Sequence, residues 1–411
     1  MIRRPNQSKF LTAALIFLLG GFTAIAQSSK SQPLRVFLHS SQILQQRKQL
    51  LSHPKSGNSS LQLALAKLER EADKALSIPV LSIVTKTITP PSGDKHDYMS
   101  QAPYWWPNPA KPNGLPYIRR DGERNPEITQ LPDHALLDKM VDAVETLATA
   151  YYFTNREAYA EKAGSILRMW FLDPATRMNP NLEFAQAIPG INRGRGIGII
   201  ETRSLPRVID AIGLLQGSRS WGQDDQAGLE RWFAQYLGWL TESANGRDES
   251  DERNNHGTYY DVQVASLALF TGKLDLAKKV LESAKTERIA KQIEPDGRQP
   301  LELARTKSWS YSNMNLEGMI MLAELGENAG IDLWNFRTRD GRSLRGAIEF
   351  LYPYALDNRR WTYAQIEPID RERFYSSMRR AAREFTDVAY RKAMLNVPNA
   401  NPDDKNRLFG S

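Results

Sequence analysis

Apolar residues recur at intervals of three and four along most of this chain, the repeat that lines one face of an α-helix. Between His134 and Phe153 the stripe is Leu137, Met140, Val141, Val144, Leu147, Ala148 and Tyr151. Thr154-Asn155 breaks it, and Tyr159, Ala163, Ile166, Leu167 and Trp170 resume it over Arg156–Leu172, so the pair reads as a helical hairpin. The same periodicity predicts helices over Ser204–Leu215, Leu229–Leu240, Tyr260–Phe270, Leu274–Ala284, Asn315–Leu325, Ser343–Leu356 and Ser377–Met394. Strand-like alternation is nearly absent. Amphipathic helices joined by short turns must bury their stripes against one another, which predicts an all-α protein, either an (α/α) toroid or an α-solenoid. No fixed-period repeat appears, and that disfavours the regular solenoids.

Three polar stretches interrupt the helices: Pro90–Pro132, Asn179–Thr202 and Glu294–Asn313. Each is rich in Gly, Pro, Arg, Asn or aromatic residues, and each is longer than a connection needs. Loops of that kind tend to carry function. The pattern predicts one helical domain, residues 27–411, with a cleft built by loops and no linker between domains. The first 26 residues read differently. Arg3, Arg4 and Lys9 precede an uncharged apolar run, Leu11 to Ala26, that closes on Ala24-Ile25-Ala26. This is the pattern of a signal peptide cleaved after Ala26. The run falls short of the roughly 20 residues of a membrane span. The mature chain is therefore expected to be exported, to the periplasm or the medium, and not to be held by a membrane.

Composition narrows the chemistry. There is no cysteine, which excludes disulfides, thiol nucleophiles and thiolate zinc sites. Removing the leader takes three positive charges from the formal +7 and leaves +4. Lys and Arg are interleaved with Asp and Glu, so the excess suits an acidic ligand and gives no nucleic-acid footprint. His256 is one of five histidines and sits in NNHGTYYD, residues 254–261. Asn254 or Asn255 can be the N-cap of a helix beginning near Tyr259, with His256 an idle first-turn residue. No HExxH and no G-x-S-x-G accompanies it, so neither a zinc protease nor a serine triad is indicated. Tyr104, Trp105 and Trp106 lie in a proline-punctuated loop, where they can stack on sugar rings or cover the core. The run Gly190–Gly198 lacks the glycine spacing of a dinucleotide site and reads as a turn presenting arginines, to a substrate carboxylate or to an internal Glu. Arg305 and Tyr311 are six apart and can reach one cleft if the chain between them turns.

Asn, His, Arg and Tyr beside cationic loops and aromatics suit β-elimination of a uronic acid polymer. Neutralising the uronate carboxylate lets negative charge spread into it as the C5 proton leaves. A tyrosine near an arginine can take that proton and return it to O4. A glycoside hydrolase would need a pair of carboxylates, for which Asp97, Glu201, Asp261 and Glu302 are candidates. A non-catalytic polysaccharide-binding protein would need the aromatics and arginines but not His256 with Tyr311.

Four stretches together resemble the alginate-lyase-like superfamily of polysaccharide lyases: DYMSQAPYWWP (97–107), GRGIGIIETRSL (194–205), NNHGTYYD (254–261) and ELAR…SWSYSNMNLEGM (302–319). The long KHDYMSQAPYWWP form and the Arg305–Tyr311 spacing look closer to family 38, glucuronan and alginate lyases, than to the related family 5. The resemblance covers roughly Ser77 to Asn396. It implies a toroid of six to seven helical hairpins, no cofactor and no metal, and an acidic polysaccharide as partner. It implies that Asn255 and His256 neutralise the carboxylate, Tyr311 is base and acid, and Arg305 steadies the phenolate. Lys95, Tyr98, Trp105, Trp106 and Arg195 would line the substrate cleft. Asn254 can exchange roles with Asn255, and Tyr259 and Tyr260 are rivals to Tyr311. Glucuronate and mannuronate share one C4–C5 arrangement, with H5 and O4 on the same face, so one tyrosine can serve both.

Overall fold

The computed structural model describes residues 34–53, 59–79, 82–356, 359–385, 392 and 404–410. The leader pattern of residues 1–26 and most of the expected helix beyond residue 385 lie outside them. Among the described residues, fourteen α-helices follow in chain order: α1 (Ser41–Ser52), α2 (Ser59–Leu76), α3 (Asp133–Thr154), α4 (Glu157–Phe171), α5 (Leu205–Leu214), α6 (Gln223–Glu242), α7 (Ala244–Ser250), α8 (Asn255–Phe270), α9 (Leu274–Ala284), α10 (Ala290–Gln292), α11 (Pro300–Leu303), α12 (Ser308–Ala329), α13 (Leu344–Ala355) and α14 (Glu372–Glu384). The molecule is 60% helical and an (α/α) toroid, as the stripes predict.

The hairpins form where the sequence breaks its period. Asn155 ends α3 in the left-handed conformation (φ 55°), and the chain reverses at once into α4. α2 packs on α3, α3 on α4 and α5, α4 on α6, and α5 and α6 on α8. From α8 the ring continues through α9 and α12 to α13 and α14. A short 3₁₀ segment, Lys405–Phe409, then lies against α1 and α2. Phe409 packs on His39 with ring centroids 4.1 Å apart and the planes tilted by 31°. The last described segment therefore rests on the first helices.

α8 is the hub. Fourteen of its sixteen residues are buried, the signature of a helix surrounded on all sides. It begins at Asn255, one turn before the apolar periodicity shows. α12 likewise begins at Ser308, so Tyr311 lies in a first helical turn and not in the loop expected there. Both first turns are polar because they meet the cleft, and a stripe search does not see them.

The long loops carry the few strands. β1 (Met99–Gln101) pairs in parallel with β4 (Phe184–Ala187), and β2 (Trp105–Trp106) pairs antiparallel with β3 (Ile118–Arg119). The β1–β4 pair joins the first loop to the second. A fully buried ion pair seats the first loop on α3: Lys86 Nζ contacts Asp133 and donates to the Asp97 carbonyl at 2.6 Å. The same Asp133 oxygen accepts the Met99 amide at 2.9 Å. No described helix is long and apolar enough to cross a membrane.

The turn before α8 is stitched by Arg288, whose guanidinium donates to the carbonyls of Ser250 and Glu252 and to Asp261 at 2.7–2.9 Å. Gly257 makes room for it. A Cβ there would lie 2.0 Å from the Glu252 carbonyl oxygen and 2.4 Å from Arg288 Nη1. Gly257→Ala is expected to cost about 1–3 kcal/mol of stability through overpacking. A thermal melt reads the result, and an unchanged midpoint would show that the turn is not tightly held.

Candidate active site

The first turn of α8 divides the work of its two asparagines. Asn254 is the N-cap, its side-chain oxygen accepting the His256 amide at 2.8 Å. Asn255 is buried, and one carboxylate holds it twice. Glu302 accepts its backbone N–H at 2.6 Å and its side-chain Nδ2 at 2.8 Å. The second Nδ2 hydrogen remains, and Oδ1 has no partner. Burial pushes the Glu302 carboxyl up, and the two bonds from Asn255 pull against it. His256 Nδ1 lies 2.8 Å from Glu249 Oε1, so Nε2 is the nitrogen left for the cleft.

Tyr311 stands on the first turn of α12, with its hydroxyl 2.9 Å from that of Tyr104. The Arg305 guanidinium lies over the Tyr311 ring, 3.7 Å from its centroid. Arg305 is itself forked by Asp121, from Nη2 at 2.7 Å and Nε at 3.1 Å. Burial raises the Asp121 carboxyl, but these bonds and the Thr306 amide outweigh it and hold the group well below the usual range. Burial, and then Tyr104, push the Tyr311 phenol above its ordinary value, and Arg305 pulls it down by less. The expected lowering by Arg305 is therefore present but outweighed. The guanidinium meets the ring face instead of the hydroxyl, and Asp121 faces its charge.

These groups open into one cleft of about 580 Å³. Arg119, Arg124, Arg195, Arg203 and Arg305 line it against Glu201 and Glu252, an excess of cation that suits a polyanion. Gly194 explains the glycines of the second loop: a Cβ there would lie 2.0 Å from the Glu183 carbonyl oxygen, so the backbone can press on β4. That contact carries Arg195 to the wall. Its Nη2 donates to Gln186 Oε1 at 2.8 Å, and its buried Nε has no partner. Of the two readings of this turn, an internal Arg–Glu pair does not form at Arg195. Gln186 has φ 50°, an uncommon conformation for a residue with a side chain and one that concentrates at functional sites.

The cleft thus gathers Asn254, Asn255, His256, Arg305, Tyr311, Trp105 and Arg195. It does not gather Lys95, Tyr98, Trp106, Tyr259 or Tyr260 on its wall. Lys95 is exposed in a turn of the first loop. Tyr98 is fully buried behind the wall, where its hydroxyl donates to Glu201 at 2.7 Å and burial raises its pKa. Trp106 points its indole N–H to the Glu123 carbonyl, with Arg120 over its ring. Tyr259 packs against Gly318, and burial raises its phenol. Tyr260 donates to the Leu240 carbonyl at 2.9 Å, and burial pushes it up to about 12. Of the four carboxylates a hydrolase could have used, only Glu201 reaches the cleft. Asp261 is paired with Arg288, Asp97 accepts from Asn179 and Asn181, and Glu302 is turned to Asn255.

Sequence reasoning missed Tyr104 as a partner of Tyr311, although it stands inside the aromatic motif. It also missed Gln186, His134, Asp121 and Glu249. His134 lines the cleft with Nδ1 buried and unpartnered. Nothing in the polar string around Glu249 marks it out from a solvated turn. Among the described residues, no group of three or more His, Asp or Glu side chains is placed to hold a metal ion.

The alginate lyase family profile matches residues 82–361, a span that contains every cleft residue named above. Among solved structures, an alginate lyase from Bacteroides ovatus is 39% identical, with a TM-score of 0.87 over 92% of this chain and 99% of that one. Alginate lyase A1-III from Sphingomonas species A1 is 16% identical and shares the fold, with a TM-score of 0.53 over 90% of this chain and 94% of that one. No curated protein sequence matches the chain significantly. Profile, identity and coverage agree, and the chain belongs to the alginate lyase family of polysaccharide lyases.

Proposed function

We propose that this lyase cleaves glucuronan, polymannuronate-type alginate or both by β-elimination without a metal, and that it lies closest to family 38. The observation that carries the reading is the convergence of Asn255, His256, Arg305 and Tyr311 on one cationic cleft. The uronate carboxylate sits against the free Nδ2 hydrogen of Asn255 and Nε2 of His256, which stabilise the charge that develops there. The Tyr311 phenolate takes H5, the C4–C5 double bond forms, the C4–O4 bond breaks, and the phenol returns the proton to O4. One group on one face performs both transfers, which fits glucuronate and mannuronate. Burial opposes the phenolate. Arg305 beneath the ring favours it, and a rotation of the Tyr104 O–H lets that hydroxyl donate to it. Trp105 and Arg195 hold neighbouring sugars. The leader pattern of residues 1–26 supports a reaction outside the cytoplasm.

The product decides the class. Incubation with glucuronan or polymannuronate is expected to raise far-ultraviolet absorbance from the new double bond, with little rise on polyguluronate. New reducing ends without that absorbance would mean hydrolysis. Tyr311→Phe is expected to lower kcat by about 10³-fold, as loss of an acid–base group does. Substrate binding, read by calorimetry, should be largely kept, and retained turnover would move the base elsewhere. His256→Ala is expected to lower kcat by about 10²-fold or more. A rate equal to the parent's would leave His256 as a helix-start residue and nothing more.

A further inference from the structure

Glu249 has no part in the reading above, yet its placement is unusual. It lies on α7, with its side chain wholly removed from solvent. Its Oε1 is 2.8 Å from His256 Nδ1, and its Oε2 is buried with no partner. A carboxylate held only for packing or stability would not leave an oxygen orphaned at depth. The turn that brings α7 back onto α8 is fixed by Arg288, which binds the Ser250 and Glu252 carbonyls. Seven residues apart in sequence, Glu249 and His256 are thus pressed together by a rigid corner.

We propose that Glu249 is a positioning residue that makes His256 a hydrogen-bond donor toward the cleft. The inference rests on the reading that His256 faces the uronate carboxylate. A neutral imidazole with its single proton on Nδ1 would turn a lone pair at Nε2 toward that carboxylate and repel it. Sharing one further proton between Oε1 and Nδ1 removes the difficulty. Whether that proton sits on oxygen or on nitrogen, Nε2 carries a hydrogen and the pair is neutral overall. Burial pushes the Glu249 carboxyl up, with His256 pulling against it, which is consistent with a proton held between the two. The neighbouring clamp follows the same plan, because Glu302 turns Asn255 as Glu249 turns His256.

Two substitutions and one spectrum test this. Glu249→Ala is expected to lower kcat by about 10²-fold with little change in KM, since the lost interaction strengthens in the transition state. Glu249→Gln, which can still bond Nδ1, should recover most of that loss. The melting temperature of either variant should equal or exceed the parent's, because a buried half-satisfied carboxylate is removed. In ¹⁵N-histidine spectra of the unliganded protein, His256 should show a protonated Nε2 together with a slowly exchanging downfield proton of the Oε1–Nδ1 bridge. Both are assigned by their absence in His256→Ala, and the bridge proton should vanish in Glu249→Ala. Parental kcat in Glu249→Ala beside a slow His256→Ala would overturn the proposal while leaving the lyase reading intact. A lowered melting point with unchanged kcat, an unprotonated Nε2 in the parent, or a bridge proton that persists in Glu249→Ala would overturn it as well. If His256→Ala itself keeps full activity, the functional reading fails, and the proposed role of Glu249 falls with it.

Discussion

The structure depends on burying α8 on every side while leaving its first turn usable. A helix start carries backbone N–H groups without partners inside the helix, and a buried one must find them elsewhere. Here Asn254 caps the His256 amide and the Asn255 amide before it is taken by Glu302, a residue from the third loop. Glu302 also takes the side-chain amide of Asn255. The carboxylate that completes the helix is therefore the one that aims the asparagine. Fold and site share one carboxylate, and neither can be altered without the other.

The plan recurs around the cleft. Glu249 stands behind His256, Asp121 behind Arg305, and Glu201 behind Tyr98 and Ser100, each at hydrogen-bond distance. Groups held this way need little rearrangement when charge develops on a substrate, which is how electrostatic preorganisation works. The arrangement has a cost. Asn255 Oδ1, Glu249 Oε2 and Arg195 Nε are buried without partners, and such atoms typically cost about 1–3 kcal/mol each. Function is the economical explanation for keeping three of them in one place.

Much of this was legible in the sequence, and the boundary is physical. Helices such as α3, α4 and α9 announced themselves by an apolar face, whereas α2 was not read although Leu61, Ala64, Leu68, Ala72 and Ala75 form its buried face. The pattern also failed at the starts of α8 and α12, where the first turn is polar because it meets the cleft. That Asn255, His256, Arg305 and Tyr311 could meet in one cleft was legible because their residue types are rare in combination and their motifs are local. Tyr98, Tyr259 and Tyr260 looked equally eligible as letters. Only packing separates a tyrosine whose hydroxyl is closed by Glu201 or the Leu240 carbonyl from one that opens on the cleft. Asp121 was invisible for another reason: it meets Arg305 across 184 positions of chain, and no local pattern reports a partner that distant.

The 3₁₀ segment that rests on α1 and α2 changes what kind of object the ring is. An open array of helical hairpins frays from its ends, each pair being stabilised only by its neighbours. Here Leu408 is fully buried, and Phe409 lies on His39, so the two ends of the described ring guard each other. Loosening either one exposes the other, and fraying is replaced by a single opening event. The ring should melt as one cooperative unit, and the cleft across it should keep its geometry until that transition arrives.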